Sequence, residues 1–395
     1  MDQNKSSSLF AGSLSSRGQW TSATSATDTA AQFEVVSDLE SFASLEREWE
    51  QLWHAAKGTP FQQFRYYHHA LHEVAIPTGA TLHCIVGRKD GRMLFGWPLL
   101  RYRERLWTTV RPLAPDPSEQ SDLLLANGED PRSIVCAAWH VLRASCRGDL
   151  LSLPMVRTDS VLHRLGLQQK WLSRGEPRVI RVAPLLRHKS WAEFRAGLPA
   201  AFRKEQDYHY RRLQRAGEAA MFIAGLDDPG SAAYIRTMRE WKHQWAARVG
   251  AEGNFFTEPY QNFLRKISTD PSFTRMLRLF VLSLDGKAIA VSLVAVSERA
   301  VIGIQAAYSP AHAKLSPGSL LLEYITKWAF ENQRDLDFGP GDSKYKSNWT
   351  ESGYTCTDFR IALSHWGRTV LAARAFRDQW QDVHLQLSAG PLRRT

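Results

Sequence analysis

Apolar and polar positions alternate most regularly in the stretch between Arg278 and Trp349. The apolar runs 279–284, 288–296 and 301–308 predict three β-strands, and Asp285-Gly286 predicts a hairpin turn between the first two. Each run is short and bounded by turn residues, as expected for neighbouring strands of one sheet. The pattern therefore predicts an antiparallel meander.

A helix and a further strand follow the meander. After a loop that contains Pro310 and Pro317, the spacing of apolar residues predicts an amphipathic helix over 320–332. Its apolar face consists of Leu321, Leu322, Ile325, Trp328 and Ala329. A short strand, 336–338, and a loop rich in glycine, 339–342, come next. This order predicts a β-α-β crossover and hence a mixed α/β fold.

The N-terminal half shows a related order of elements. A strand at 33–36 and helices at 39–56 and 64–73 precede a hairpin of strands 82–88 and 93–102, followed by a helix and further strands. Residues 1–31, rich in Ser, Thr, Ala and Gln, predict a disordered tail. We therefore expect an N-terminal domain over 32–185, a second domain over 186–368, and a C-terminal helix and tail over 369–395.

The loop before the predicted helix 320–332 is suited to bind phosphate. A helix N-terminus offers unpaired backbone N–H groups and the positive end of the helix dipole. Gly318 permits close approach of the backbone, Ser319 can donate a hydroxyl hydrogen bond, and Lys314 supplies a positive charge. Helices also commonly begin with Pro-Gly-Ser, so a capped helix start that binds nothing remains the alternative.

Composition limits the partners and the compartment. The net charge of +10 over 395 residues favours an anionic partner. A soluble basic protein with no such partner would also carry this charge. The four cysteines form no C-x-x-C pair, which predicts no metal site and fits reduced thiols. We find no apolar run long enough for a transmembrane segment or a secretion signal, so we expect a cytoplasmic protein.

Two sequence motifs resemble a known family. AYSPAHAKLSPGSLLLEY and DLDFGPGDSKYKSNW, at these places in the element order, resemble the GNAT-type acyltransferases. Within that family they are similar to the CelD-like subgroup of cellulose and polysaccharide biosynthesis, and to the related Fem-type peptidoglycan aminoacyltransferases. The matching positions are Tyr308, Pro310, Ser316, Pro317, Gly318, Leu320, Leu321, Asp337, Phe338, Gly341, Asp342, Tyr345, Lys346 and Trp349. The resemblance implies two tandem GNAT-like domains packed together.

The resemblance also implies roles for individual residues. The phosphates of an acetyl-CoA or other acyl-CoA donor would lie at Lys314, Ser316, Gly318, Ser319 and Leu320. The acceptor amine must lose a proton, for which Asp342 and Glu323 are candidate bases. Tyr345 would donate a proton to the leaving thiolate, and Lys346 would hold an anionic group. Acceptor contacts are expected at Trp245, Phe256 and Tyr308.

Three functions fit these observations. The first is an N-acyltransferase that acylates an amine, such as an amino sugar or glycan precursor of polysaccharide or envelope biosynthesis. The second keeps the fold but takes its acyl group from an aminoacyl-tRNA, since the loop KLSPGS contains less Gly and Arg than the usual GNAT loop. The third is a non-catalytic GNAT-like scaffold that assists a polysaccharide synthase.

Other classes lack support in the sequence. No Walker loop, G-x-S-x-G elbow or G-x-G-x-x-G fingerprint occurs, so kinase, hydrolase and dehydrogenase functions have no motif. No RNA-binding module is recognisable, so a nucleic acid is expected only in the second function, as the aminoacyl-tRNA donor. The basic helix predicted within 191–215 fits either a solvated face or an anion site.

Overall fold

The computed structural model describes most of the chain as two compact units. The described residues are 31–116, 119–228, 230–253, 256–341 and 344–388. Residues 1–30 of the predicted disordered tail lie outside them. The first unit comprises Met1–Gly58, Ala75–Pro177 and Thr357–Thr395, and the second comprises Thr59–Val74 and Arg178–Cys356. The domain boundaries expected from the sequence, 185/186 and 368/369, remain a prediction.

The elements up to residue 177 follow the expected order with two differences: the predicted helix 39–56 is two helices that meet at Leu45, and an unpredicted strand, Thr108–Pro112, follows the hairpin. They are β1 Gln32–Val36, α1 Leu39–Ser44, α2 Glu46–Ala56, α3 Phe64–Ala70, β2 Thr81–Lys89, β3 Arg92–Arg103, β4 Thr108–Pro112, β5 Leu124–Leu125, α4 Pro131–Ser145, β6 Leu150–Arg157, α5 Val161–Leu167 and β7 Leu172–Arg174. The predicted hairpin corresponds to β2 and β3, which turn at Asp90 and Gly91, both with positive φ.

The remaining elements contain the meander and the crossover. They are β8 Arg178–Ala183, α6 Trp191–Gly197, α7 Ala200–Ala216, β9 Ala219–Ala224, α8 Ser231–Val249, α9 Glu258–Thr269, β10 Leu277–Leu284, β11 Lys287–Val296, β12 Ala300–Tyr308, α10 Pro317–Glu331, β13 Asp335–Asp337, β14 Gly353–Ala362 and α11 His365–Ser388. None of the helices in the described part of the chain is both long and apolar enough to cross a lipid bilayer.

The first unit is built on the strand order β1-β2-β3-β4-β6-β14. β4 and β6 pair in parallel, whereas β1, β2, β3 and β4 form an antiparallel series. Its core contains Trp97 from β3, Trp139 from α4 and Phe359 from β14. Asp130 begins α4 by accepting hydrogen bonds from two backbone N–H groups of the first turn.

The second unit is built on the strand order β8-β13-β12-β11-β10-β9. β9 to β12 are antiparallel, and β12 and β13 are parallel and joined through α10, so the predicted meander and β-α-β crossover are confirmed. Asp285 and Gly286 both have positive φ, as a two-residue type I′ hairpin requires. The fold is therefore mixed α/β, as the sequence predicts.

Helices cover both faces of this second sheet. On one face, Leu320, Leu321 and Ile325 of α10 pack into a core that also includes residues of α6 and α7. On the other face, Phe222 of β9 packs edge-on against Tyr234 of α8, at a ring distance of 6.1 Å. α8 also packs on β11 and β12. α8 and α10 thus lie on opposite faces of the same strands.

The start of α10 differs from the prediction. The helix begins at Pro317 rather than at 320, and residues Pro310–Leu315 of the predicted loop form a 3-10 turn. Proline suits the first position of a helix, because its φ is already helical and its missing N–H has no intrahelical partner there. The apolar spacing could not reveal this first turn, because Gly318 and Ser319 carry no apolar side chain.

Candidate active site

A cleft opens where β12 and β13 part. The two strands pair from Ala300 and Asp335 to Ile302 and Asp337. Beyond that point β12 continues to Tyr308, whereas the N–H of Phe338 donates to a carbonyl of β8 at 3.1 Å. The carboxyl ends of parallel strands are where α/β folds place their ligands.

Two glycines lie at the base of this cleft. Gly339 has φ 67°, and a Cβ there would lie 3.0 Å from the carbonyl oxygen of Gly303 on β12. A side chain at 339 would therefore be strained by its backbone conformation and would press on β12. The loop after β13 can pass this close to β12 because position 339 is glycine.

A β-bulge in β12 lies beside the cleft. Gly303 pairs with Val294 and Gln305 with Leu293, so Ile304 is an extra residue without a partner on β11. Gln305 is buried, and neither atom of its amide group has a hydrogen-bond partner within the described residues. Because Leu293 faces away from the α10 core, Gln305 faces the α8 side. Sequence reasoning missed Gln305, although an amide in the apolar run VIGIQAAY was a visible signal.

The predicted phosphate loop lies at the N-terminus of α10. Ser316 has a left-handed backbone, and its carbonyl accepts the N–H groups of Ser319 at 3.1 Å and Leu320 at 3.2 Å. Pro317 has no N–H. The N–H of Gly318, in the same turn, has no acceptor among the described residues. A Cβ at Gly318 would lie 3.2 Å from the ring of Tyr308. Of the predicted donor residues, Gly318 thus lies beside the predicted acceptor contact Tyr308.

Lys314, the fifth predicted donor contact, is exposed in the 3-10 turn before α10. Two side chains of α7, which sequence reasoning missed, reach the loop. Gln206 donates from Nε2 to Ser319 Oγ at 2.5 Å, and His209 Nε2 lies 3.2 Å from Ser316 Oγ. In the sequence both residues sit among basic residues, so this part of α7 resembled a solvated face.

Glu323, one turn further along α10, is held in an ion pair. Its carboxylate accepts from Arg195 Nε at 2.8 Å, and Arg195 Nη2 also contacts Asp207 at 2.5 Å. The hydrogen bond to Glu323, together with that to Asp207, raises the pKa of Arg195. Glu323 as a base for the acceptor amine remains a prediction, and in this structure its carboxylate balances the charge of Arg195.

The loop after β13 carries the other predicted catalytic residues. Asp342 lies outside the described residues. Tyr345 is half exposed, and its partial burial raises its pKa, so the phenol keeps its proton at neutral pH. Lys346 is buried and donates to the carbonyls of three loop residues, Gly339, Pro340 and Gly341.

The ammonium group of Lys346 thus fixes the loop, and its contact with an anionic group of a substrate remains a prediction. A buried carboxylate at the end of β13 also fixes this region. Asp337 accepts from the N–H of Gly339 and from the hydroxyl of Tyr354, both at 2.8 Å.

Two predicted acceptor contacts lie on the α8 side of the sheet. Trp245 of α8 is partly exposed, and the ammonium of Lys242 lies 4.3 Å from its ring centre. Burial lowers the pKa of Lys242. The ring of Phe256 lies 5.9 Å from that of His243. Tyr308 pairs with Ala290, which belongs to the α10 core, so the three predicted acceptor contacts do not share one face.

The described side chains offer hydrogen bonds, charge and proton transfer. The bulge of β12, the N–H of Gly318 at the start of α10 and the Asp337 carboxylate at the end of β13 are joined by the protonated phenol of Tyr345 on the loop after β13. Within the described ranges, no group of three or more His, Cys, Asp or Glu side chains is placed to hold a metal ion. This inventory suits a transfer between a carbonyl carbon and an amine.

Comparison with known proteins supports this assignment. Residues 200–347 match the family described as an acetyltransferase (GNAT) domain. This range runs from α7 through the meander and α10 to the loop that holds Tyr345 and Lys346. The match covers less than half of the chain, and it establishes a GNAT acetyltransferase domain in that part. Comparison with curated proteins finds no match.

Solved structures share the fold over most of the chain. FemX is 11% identical, with a TM-score of 0.54, and the match covers 83% of this chain and 97% of FemX. The C-terminal domain (DUF2156) of a protein described as a lysylphosphatidylglycerol synthetase, from Agrobacterium fabrum, is 10% identical, with a TM-score of 0.50 and coverage of 85% and 96%. A tandem GNAT protein from the clavulanic acid biosynthesis pathway is 15% identical, with a TM-score of 0.48 and coverage of 84% and 99%.

At these identities the likeness to FemX and to the DUF2156 domain shows the fold alone, and residues 200–347 of that fold match the GNAT acetyltransferase domain. The CelD-like subgroup remains a prediction.

Proposed function

We propose that this protein is an N-acyltransferase that moves an acetyl or similar acyl group from acyl-CoA to an amine. One observation carries the proposal. The cleft between β12 and β13 has a backbone bulge at Ile304 on one side and the N-terminus of α10 at Gly318 at its end. A long, thin donor with a thioester at one end and phosphates at the other would meet a suitable group at each position.

The bulge would act at the reacting carbonyl. The extra residue of a bulge leaves the strand ladder, so the N–H of Ile304 would stabilise the negative charge that develops on the thioester oxygen. The acceptor nitrogen bonds to the carbonyl carbon, the C–S bond breaks, and the sulfur leaves as a thiolate. Tyr345 would protonate this thiolate, and Asp342 would take the proton of the amine.

The other end of the donor would lie at α10. The N–H of Gly318, the hydroxyls of Ser316 and Ser319, and the exposed ammonium of Lys314 are groups that bind phosphate. Gln206 and His209 hold the two serine hydroxyls from α7, which fixes their direction before a donor arrives.

The acceptor would approach from the α8 side. Gln305 presents an unpaired amide to that side, with Trp245 and Phe256 on the elements that cover it. An amide that can donate and accept fits an acceptor with hydroxyl or amide groups around its amine. We therefore propose an amino sugar or glycan precursor, with a role in polysaccharide or envelope biosynthesis beside a polysaccharide synthase.

Calorimetric titration with acetyl-CoA tests the proposal. We expect saturable binding to the unmodified protein and loss of at least about tenfold in affinity for Gly318→Trp, because position 318 lies against the ring of Tyr308 at the donor loop. Gly197→Trp is the matched control, since a Cβ at 197 meets no atom within 4 Å. Failure of the unmodified protein to bind acetyl-CoA would overturn the acyl-CoA donor.

One observation favours an aminoacyl-tRNA donor as the second candidate. Lys204, Arg211 and Arg215 lie on one exposed face of α7, at positions i, i+7 and i+11. A nucleic acid bound there would show an affinity that falls steeply with salt, and Arg211→Gln would reduce the salt dependence by about one charge. Binding of aminoacyl-tRNA without binding of acetyl-CoA would select this candidate, and binding of neither would select the non-catalytic scaffold.

A further inference from the structure

A second cavity of about 690 Å³ lies in the same unit, between α6, α7 and α10 and above β9 and β10. This volume is typical of sites for small molecules. No residue of β12 or β13 lines it. β11 lies between β10, which lines the cavity, and β12, which carries the bulge at Ile304. The cavity borders the proposed phosphate loop, because Gln206 and Leu320 line it and Gln206 bonds to Ser319, but it lies away from the bulge at Ile304, where the thioester is proposed to react.

Aromatic side chains and an apolar floor shape the cavity. Trp191, Tyr210 and Tyr324 contribute their rings, while Leu213 and Leu282 form part of the floor. Tyr324 packs edge-on against the buried ring of Phe280, at 6.0 Å, so its position is fixed by the core. Flat apolar faces of a ligand could pack on such rings.

Gln206 brings an unsatisfied hydrogen-bond acceptor to the cavity wall. The residue is 3% exposed, and its Nε2 donates to Ser319 Oγ. Its Oε1 has no donor among the residues that the structure describes. Because a buried oxygen without a donor is unfavourable, a ligand N–H or O–H at this position would stabilise the site.

The charges around the cavity cancel. Arg195 and Lys327 are positive, and Asp207 and Glu323 are negative. Arg195 occupies one oxygen of each carboxylate, and the second oxygen of each has no donor within the described part of the chain. The cavity therefore offers accepting oxygens without net positive charge, which disfavours a phosphate and favours a ligand with several hydroxyl groups.

We propose that this cavity binds a saccharide unit. A sugar ring carries hydroxyl groups that donate to the oxygens of Gln206, Asp207 and Glu323, and it has flat C–H faces that pack on Trp191 and Tyr210. A purely apolar ligand would leave the buried Oε1 of Gln206 without a donor. The inference goes beyond the proposed acyl transfer, because the cavity could bind a sugar whatever the acyl donor is.

Saturation-transfer NMR with glucose, cellotriose and the trimer of N-acetylglucosamine, at millimolar concentration, tests the inference. We expect saturable binding of at least one of these sugars to the unmodified protein. Tyr210→Ala and Gln206→Leu should weaken it by about tenfold or more. Tyr208→Ala is the matched control, because Tyr208 lies on the same helix, is exposed, and does not line the cavity.

Each other result overturns the inference. The first is that none of the three sugars binds. The second is that Tyr210→Ala and Tyr208→Ala weaken binding equally, in samples with unchanged circular dichroism. The third is that adenosine displaces the sugar, which would make the cavity a nucleoside site. Acetyl-CoA binding is measured on the unmodified protein and on Tyr210→Ala, because Gln206 also holds Ser319 of the proposed donor loop. Sugar binding without acetyl-CoA binding would refute the acyl-CoA proposal alone. Acetyl-CoA binding without sugar binding would refute the saccharide proposal alone.

Discussion

Lys346 permits a sharp test of how the loop after β13 is held. Its side chain is 4% exposed, and Nζ donates to the carbonyls of Gly339 at 2.9 Å, Pro340 at 2.8 Å and Gly341 at 2.9 Å. A lysine ammonium has three hydrogens to donate, so it can serve all three of these carbonyls. The side chain therefore acts as a fixed centre for the loop that carries Tyr345.

The magnitude follows from which carbonyls water can reach. Lys346→Met keeps an apolar stem of similar length but removes the charge and the donors. Pro340 and Gly341 are exposed, so water replaces the lost bonds there, whereas the carbonyl of buried Gly339 is left unpaired. An unpaired buried carbonyl costs about 1–3 kcal/mol, so we expect local destabilisation of about 2 kcal/mol. Lys346→Arg should act in the same direction, because a planar guanidinium does not match three converging carbonyls.

Hydrogen exchange of the peptide 336–349, measured by mass spectrometry without substrate, reports this change. About 2 kcal/mol corresponds to roughly 30-fold faster exchange of the protected amides. Lys314→Met, at an exposed position in the predicted phosphate loop, is the control and should leave this peptide unchanged. Unchanged exchange in Lys346→Met would show that the ammonium does not hold the loop. It would favour the other predicted role of Lys346, contact with an anionic group of a substrate.

Two further predictions concern stability. Burial lowers the pKa of His83 to about 4 from an unfolded value near 6.5, so the unfolded chain binds a proton that the folded chain excludes, and stability falls by up to about 3 kcal/mol as the pH drops from 6.5 to 4. His83→Gln should remove this loss in denaturation curves at pH 7 and 4.5, whereas His140→Gln, on an exposed face, should keep it. Gly353→Ala should lower stability by about 3 kcal/mol, because the new Cβ overlaps the carbonyl of Ile180, and a melting temperature equal to that of Gly197→Ala would contradict this.

The sequence was sufficient for the meander because its signal is local. The hairpin at Asp285-Gly286 needs positive φ at two adjacent positions, and an Asp-Gly pair adopts this conformation at little energetic cost. The helix α10 was found from its apolar spacing. Its first turn was not, because Pro317 and Ser316 define the start by backbone conformation alone.

The site was less accessible from the sequence because its contacts join distant segments. Gln206 and Ser319 are separated by 113 positions, and no local pattern pairs them. The partners of Lys346 are backbone carbonyls, which every residue type has, so the sequence does not mark them. Glu323 looked like a free carboxylate because Arg195, its partner, lies 128 positions away. The motif positions were recognisable, but their bonding required the packed structure.

The bulge at Ile304 shows how one residue sets both sides of the cleft. In a regular strand side chains alternate, so Gln305 would face the same side as Gly303, into the apolar core beneath α10. The extra residue shifts the alternation, so Gln305 pairs with Leu293 and faces α8, while Tyr308 pairs with Ala290 and faces α10. The same shift thus turns an amide toward the proposed acceptor side and an aromatic ring toward Gly318 at the proposed donor side. A period of two read from the sequence places both side chains on the wrong faces, so the sequence alone could name Tyr308 but could not assign it to the donor loop.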